Sequence, residues 1–174
     1  MTNTPMWLDY GNPTLLNIQN DTYLHTAENA IVDYPFPGGY AYLVVDGSSF
    51  TPGKGNVSSA HPMHLHGHDF AILAQEDSWP GRDIPPLQHL NPARRDTVTL
   101  ASFGYVALAF RLDNPGTWLL HCHIAWHSSS GFALQILENR DRILPTLSSL
   151  ENVKQSCQGW DKMALSFKQE ESGV

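Results

Sequence analysis

An all-β fold, a sandwich or Greek-key barrel of short strands, is predicted by two observations. Apolar and β-branched residues fall in short runs, and the gaps between them carry glycine and proline in turn-forming company. In chain order the strand candidates are residues 14–18, 40–45, 69–74, 97–101, 105–112, 117–123 and 132–137. Pro35-Phe36-Pro37-Gly38-Gly39, Asp46-Gly47 and Asn114-Pro115-Gly116 separate them, and all three are poor in strand or helix interiors. The tail differs. From Ser148 on, Leu150, Val153, Cys157 and Trp160 recur at roughly helical spacing, and Ser148 followed by Glu151 fits a capping box. A terminal helix packed on the barrel is expected there, as an amphipathic helix ordinarily does.

The chain of 174 residues is long enough for one domain with a real core. An apolar fraction of 41% with 16% charged residues suits a soluble globular protein. A net charge of −7 argues against nucleic acid or an anionic membrane as partner. No apolar run reaches the ~18 residues of a membrane span. No basic segment followed by an apolar stretch opens the chain, so no signal peptide is read there. Asn20-Asp21-Thr22 and Asn56-Val57-Ser58 are glycosylation sequons.

Seven of the nine histidines lie in two windows. The first reads His61-Pro62-Met63-His64-Leu65-His66-Gly67-His68, the second His121-Cys122-His123-Ile124-Ala125-Trp126-His127. Clustered imidazoles are awkward to bury without a ligand that satisfies their lone pairs. Because alternate strand residues face opposite ways, His121 and His123 point to one side and Cys122 to the other. One strand can therefore feed two metal sites. His64 and His66 likewise share a face, while His61, across Pro62, can turn toward the cysteine side. One thiolate with two imidazoles, Cys122 with His61 and His127, is the trigonal set of a blue-copper site. Structural zinc favours four N/S ligands, often from paired cysteines, and no Cys-x-x-Cys occurs. A cupin-like iron or zinc site lacks its usual glutamate after His66. Copper is the metal expected.

These motifs closely resemble the multicopper oxidases, and among them the laccases of ascomycete fungi. Trp7-Leu8-Asp9-Tyr10-Gly11-Asn12-Pro13, Asn91-Pro92-Ala93-Arg94-Arg95-Asp96-Thr97 and Phe110-Arg111-Leu112-Asp113-Asn114-Pro115-Gly116 carry the likeness beyond the histidines. It is weakest between Asn20 and Ala60. The resemblance implies a cupredoxin-like Greek-key β-barrel over residues 1–145, third of three such domains and lacking its first strand. Residues 146–174 would be a C-terminal helix and tail packing on the rest of the enzyme.

By the same resemblance His61, Cys122 and His127 bind the type 1 copper, His64 the type 2 copper, and His66, His121 and His123 the type 3 pair. The complete enzyme would hold four coppers, and four further histidines would come from a polypeptide carrying the first and second domains. His25, His68 and His89 are expected to make ordinary hydrogen bonds. Phe132 occupies the axial position of the type 1 site and cannot coordinate. The ending Glu171-Ser172-Gly173-Val174 is similar to a family tail that enters the solvent channel toward the cluster, with glutamate where aspartate is usual. The implied activity is one-electron oxidation of phenols coupled to four-electron reduction of O2 to water, in a secreted enzyme. His127 would face the substrate, and Trp126 is read equally as pocket wall or core. Cys157, with no second free thiol to pair with, would bridge to the partner polypeptide. A blue-copper electron carrier is the alternative, and His64, His66, His121 and His123 oppose it.

Overall fold

The computed structural model describes residues 4–47, 50–51, 55–56, 59–78, 80–81, 86–166 and 168–174. After a 3-10 turn at Thr14–Leu16 come α1 (Asp21–Leu24), a second 3-10 turn at Ala27–Asn29, β1 (Ile31–Tyr34), β2 (Tyr40–Asp46), β3 (Phe50–Thr51), β4 (Gly55–Asn56), β5 (His61–Leu65), β6 (Phe70–Glu76), β7 (Arg94–Arg95), β8 (Thr97–Leu100), β9 (Tyr105–Arg111) and β10 (Gly116–Cys122). Then follow α2 (Ala125–Ser129), β11 (Ala133–Glu138), α3 (Arg140–Thr146) and α4 (Glu151–Ala164).

Two open sheets face each other. One runs β1-β11-β10-β5-β8 and the other β2-β9-β6-β7, with β3 and β4 as a separate ribbon. All pairings are antiparallel except β1 with β11. Met63, Leu65, Leu120 and Ile136 from the first sheet meet Val45, Phe70, Leu108 and Phe110 from the second in one core. Cys122 belongs to that core and is wholly buried. Since Leu120 and Cys122 point into the sandwich, His121 points out of it. A smaller cluster of Ile18, Leu24, Leu137 and Ile143 covers one outer region of the first sheet.

Six of the seven predicted strands form, with ends shifted by a residue or two. The exception is residues 14–18, which make a 3-10 turn instead of a strand. Local bonding wins there: the amides of Leu16 and Asn17 donate to the carbonyls of Pro13 and Thr14. The Asn17 side chain donates to Pro13 O (3.1 Å) and Asn12 Oδ1 (2.6 Å), the competition that asparagine offers to a ladder. The terminal helix forms, but Ser148 does not cap it. Glu151 N donates to Ser149 Oγ at 3.0 Å, and the Glu151 carboxylate accepts from Gln155 instead of closing a box. The sequon at Asn56 runs into residues outside the described ones, whereas Asn20 is exposed and caps α1 by accepting from Tyr23 N.

The tail returns to the sandwich. Ser172 is buried, its amide donates to Ser129 O (2.9 Å) and its hydroxyl to Ser128 O (2.5 Å), while its carbonyl accepts from Leu8 N (2.7 Å). The C-terminus is thereby stitched to α2, the helix that carries Trp126 and His127.

Candidate metal centre

β10 and β5 lie side by side, with His121 opposite His64 and Cys122 opposite Met63. Antiparallel pairing thus sets imidazoles from the two windows next to each other on one face. Past the end of β10 the chain turns into α2, and the His127 amide donates to Ile124 O at 2.9 Å. This tight turn swings His127 back over Cys122. Gly131, at φ +83°, reverses the chain again, and the Phe132 amide donates to His127 O.

The outcome is a compact trio. Cys122 Sγ lies 3.6 Å from His61 Nδ1 and 3.5 Å from His127 Nδ1, and the two nitrogens are 3.2 Å apart. A triangle with these sides has its centre about 2.0 Å from each corner, the length of a metal–imidazole bond. One sulfur and two nitrogens fit a soft, three-coordinate cation such as copper. Phe132 stands edge-on to His61 with ring centroids 4.9 Å apart, and 6.4 Å from His127. It brings no donor atom and closes the site with hydrocarbon.

Protonation favours ligation by His61. Burial lowers the basicity of His61, and the neighbouring His127 adds to it. The Cys122 thiol is pushed up by burial, offset in part by a backbone hydrogen bond from Ile124. A metal must therefore displace a proton from this sulfur on binding.

His64, His66, His121 and His123 gather on the other face. Ring centroids are 4.6 Å apart for His64 and His66, 5.2 Å for His66 and His121, and 5.5 Å for His121 and His123. His64 Nδ1 is bonded to Asp96 O at 2.9 Å and His121 Nδ1 to Cys122 O at 3.1 Å. Each is left with Nε2 to offer, and the Nε2 atoms of His66 and His121 are 3.1 Å apart. Partial desolvation, with His64 and His123 beside it, lowers the basicity of His66, exposed though its outer edge is. The same causes lower that of His121, against a backbone bond at Cys122. Among the described residues, only His61, Cys122 and His127 bring three donor atoms within 4.8 Å of one another. The four-imidazole set is open on the side of the exposed His66 and His123.

The remaining predicted residues fall as follows. Trp126 is 70% exposed with its ring 5.9 Å from that of His127, so it is not core. His25 ends α1 and His89 lines a groove with Tyr40, Tyr42 and Arg94, and neither joins a cluster. His68 lies 2.8 Å from Glu138, both side chains buried. Sequence reasoning passed over Glu138, Asn114 and Trp118, which surround His68. Their one signal was a carboxylate ending an apolar run, since a buried carboxylate demands partners. Glu171 Oε1 accepts from Tyr10 OH at 3.2 Å and Oε2 from Ser129 Oγ at 3.5 Å.

A family profile described as "Multicopper oxidase" matches residues 4–142. A laccase of Arthroderma benhamiae is 39% identical over 91% of this chain and 25% of its own length. A dihydrogeodin oxidase of Aspergillus terreus is 38% identical over 92% of this chain and 28% of its own. The crystal structure of a laccase from Botrytis aclada superposes with a TM-score of 0.79 at 33% identity, covering 99% of this chain and 31% of that one. The chain thus spans less than a third of the length of these relatives.

Proposed function

This chain belongs to the multicopper oxidase family, with a cupredoxin fold and copper as its cofactor, and we propose that it supplies a laccase-type enzyme with its electron-entry site and half of its oxygen-reducing cluster. The observation that carries this reading is the adjacency of two donor sets along β10, Cys122 on the core side and His121 and His123 on the other.

His61, Cys122 and His127 are the type 1 ligands, His64 the type 2 ligand, and His66, His121 and His123 the type 3 ligands. Bound copper supplies the one-electron redox steps and the site of dioxygen reduction. The residues set the terms. Cys122 is covalently continuous with both His121 and His123, the shortest connection between the two sites. Phe132 excludes water and offers no fourth ligand, an arrangement that keeps the potential high. His127 carries the exposed Trp126 beside it, so a phenolic substrate would meet the His127 ring edge against an indole wall.

Residues 1–145 form the cupredoxin domain and 146–174 its C-terminal attachment to the rest of the enzyme. The open side of the histidine fan is where the missing ligands enter from a polypeptide carrying the other two domains. Cys157, 7% exposed on α4, has only Cys122 as fellow cysteine in this chain. It forms a disulfide to that polypeptide, in a secreted protein glycosylated at the exposed Asn20. A simple electron carrier is disfavoured, because it has no use for four further imidazoles. Oxygen uptake with a phenol tests the reading. The complete enzyme is expected to reduce O2 fully to water, and this chain alone to show no such turnover. Robust turnover by the chain alone would refute the shared cluster.

A further inference from the structure

Behind the histidine fan lies a buried polar bracket that the proposed chemistry leaves unused. Glu138, the last residue of β11, is 0% exposed. Its Oε1 accepts from Asn114 N at 2.8 Å and Asn139 Nδ2 at 3.0 Å, and its Oε2 is 2.8 Å from His68 Nε2. Asn114 continues the bracket: its side chain donates to Gly67 O at 2.8 Å, and its carbonyl accepts from Trp118 Nε1 at 2.8 Å. The Trp118 indole is wedged between two glycines. A Cβ on Gly67 would overlap it, and one on Gly116 would come within 2.5 Å. The His68 ring packs on Phe110 at 5.1 Å and Trp118 at 6.1 Å.

A carboxylate this deep is costly unless its oxygens are engaged. Here the engagement ties together three segments through side chains: the turn after His66, the loop before β10, and the end of β11. Two of these segments lead into the fan. His66 directly precedes Gly67, and its amide donates to Leu119 O on β10 at 2.8 Å. Trp118 lies on β10 three residues before His121.

We propose that Glu138 and His68, through Asn114 and Trp118, are positioning residues for the His66–His121 pair. They lock the turn after His66 against β10, so that the two Nε2 atoms face each other at the observed separation. The bracket lies toward the Gly116 end of β10, away from Cys122 at its other end, and none of its hydrogen bonds involves His61, Cys122 or His127. This inference rests on the reading of His66 and His121 as ligands of the coupled copper pair.

The test compares Glu138→Gln, His68→Gln and the double variant in the copper-loaded complete enzyme. Visible and near-ultraviolet spectra, copper content and thermal unfolding are the readouts. The single variants are expected to keep the blue band and lose about tenfold or more in copper affinity at the pair, as removal of supporting partners does. The near-ultraviolet band of the coupled pair should fall accordingly. The double variant, which restores an amide–amide bond between the two positions, is expected to recover part of that band. Should Glu138→Gln fail to accumulate, His68→Gln carries the same expectation. An unchanged near-ultraviolet band in the single variants would overturn the inference. So would blue and near-ultraviolet bands falling together in step with the melting temperature, because that marks general destabilisation. Absence of the near-ultraviolet band in the parent enzyme would instead sink the ligand reading, and this inference with it.

Discussion

His61, His66 and His121 share one electrostatic situation: burial disfavours the charged imidazole in each, and neighbouring histidines reinforce it. In the unfolded chain these groups titrate at about 6.5. Below that value the unfolded chain binds more protons than the folded one, so folding stability is fully present above it and declines as pH falls toward the lowered folded values. Metal-free protein is therefore expected to melt at lower temperature at about pH 5 than at about pH 7. The difference should shrink in a His61→Gln, His121→Gln double variant. A slope unaffected by these substitutions would assign the pH dependence to other groups. Phe132 supports a second prediction at this scale. Phe132→Met offers a weak axial sulfur to the Cys122 site, which stabilises Cu(II) and lowers the potential. Redox titration of the blue band should show the fall, and a potential that stays or rises would mean that Phe132 does not occupy the axial position. The site was legible at this scale because histidine and cysteine are expensive to cluster without a ligand. His68 shows where legibility ended. Nothing in the sequence pairs it with Glu138, 70 residues away, until β11 is folded beside the loop at Asn114.

At the scale of elements, alternation of apolar residues was readable wherever one face of a strand meets the core, as in β2 with Ala41 and Val45 inward and Tyr40 and Tyr42 outward. β9, buried along six of its seven residues, was still found because Gly104 and Asn114-Pro115-Gly116 bound it. Residues 14–18 misled because Leu15, Leu16 and Ile18 imitate a strand, while Pro13 and Asn17 supply the local bonds of a turn. β1, α3 and the bond from Glu151 N to the Ser149 hydroxyl escaped notice, since their signals are short and tertiary contacts decide them. Gly67 gives the sharpest prediction for an element. At φ +74° and with the Trp118 ring against it, it leaves no room for a side chain. Gly67→Ala is expected to destabilise by about 1–3 kcal/mol, the usual range for overpacking. A melting temperature equal to the parent's would show that the turn after His66 is not held by this packing.

At the scale of the whole molecule, the proposed function divides the chemistry between sites and between domains. The tail, bonded through Ser172 to Ser128 and Ser129, and Cys157 on α4 are the contacts expected to join this domain to its surroundings. Mass spectrometry of the intact, non-reduced enzyme should find Cys157 in a disulfide with the remaining polypeptide. A free, alkylatable Cys157 in fully active enzyme would rule that bridge out. In the proposed arrangement β10 and the residue that follows it feed two metal sites from opposite faces, and one substitution separates them. Cys122→Ser in the complete enzyme removes the sulfur that a hydroxyl cannot replace as a charge-transfer ligand, and leaves His64, His66, His121 and His123 untouched. The decisive measurement is the absorption spectrum of that variant, taken with its copper content. Loss of the blue band and of one copper per molecule is expected, with the near-ultraviolet band of the coupled pair retained. A blue band that survives, or a near-ultraviolet band that vanishes along with it, would overturn the two-site arrangement.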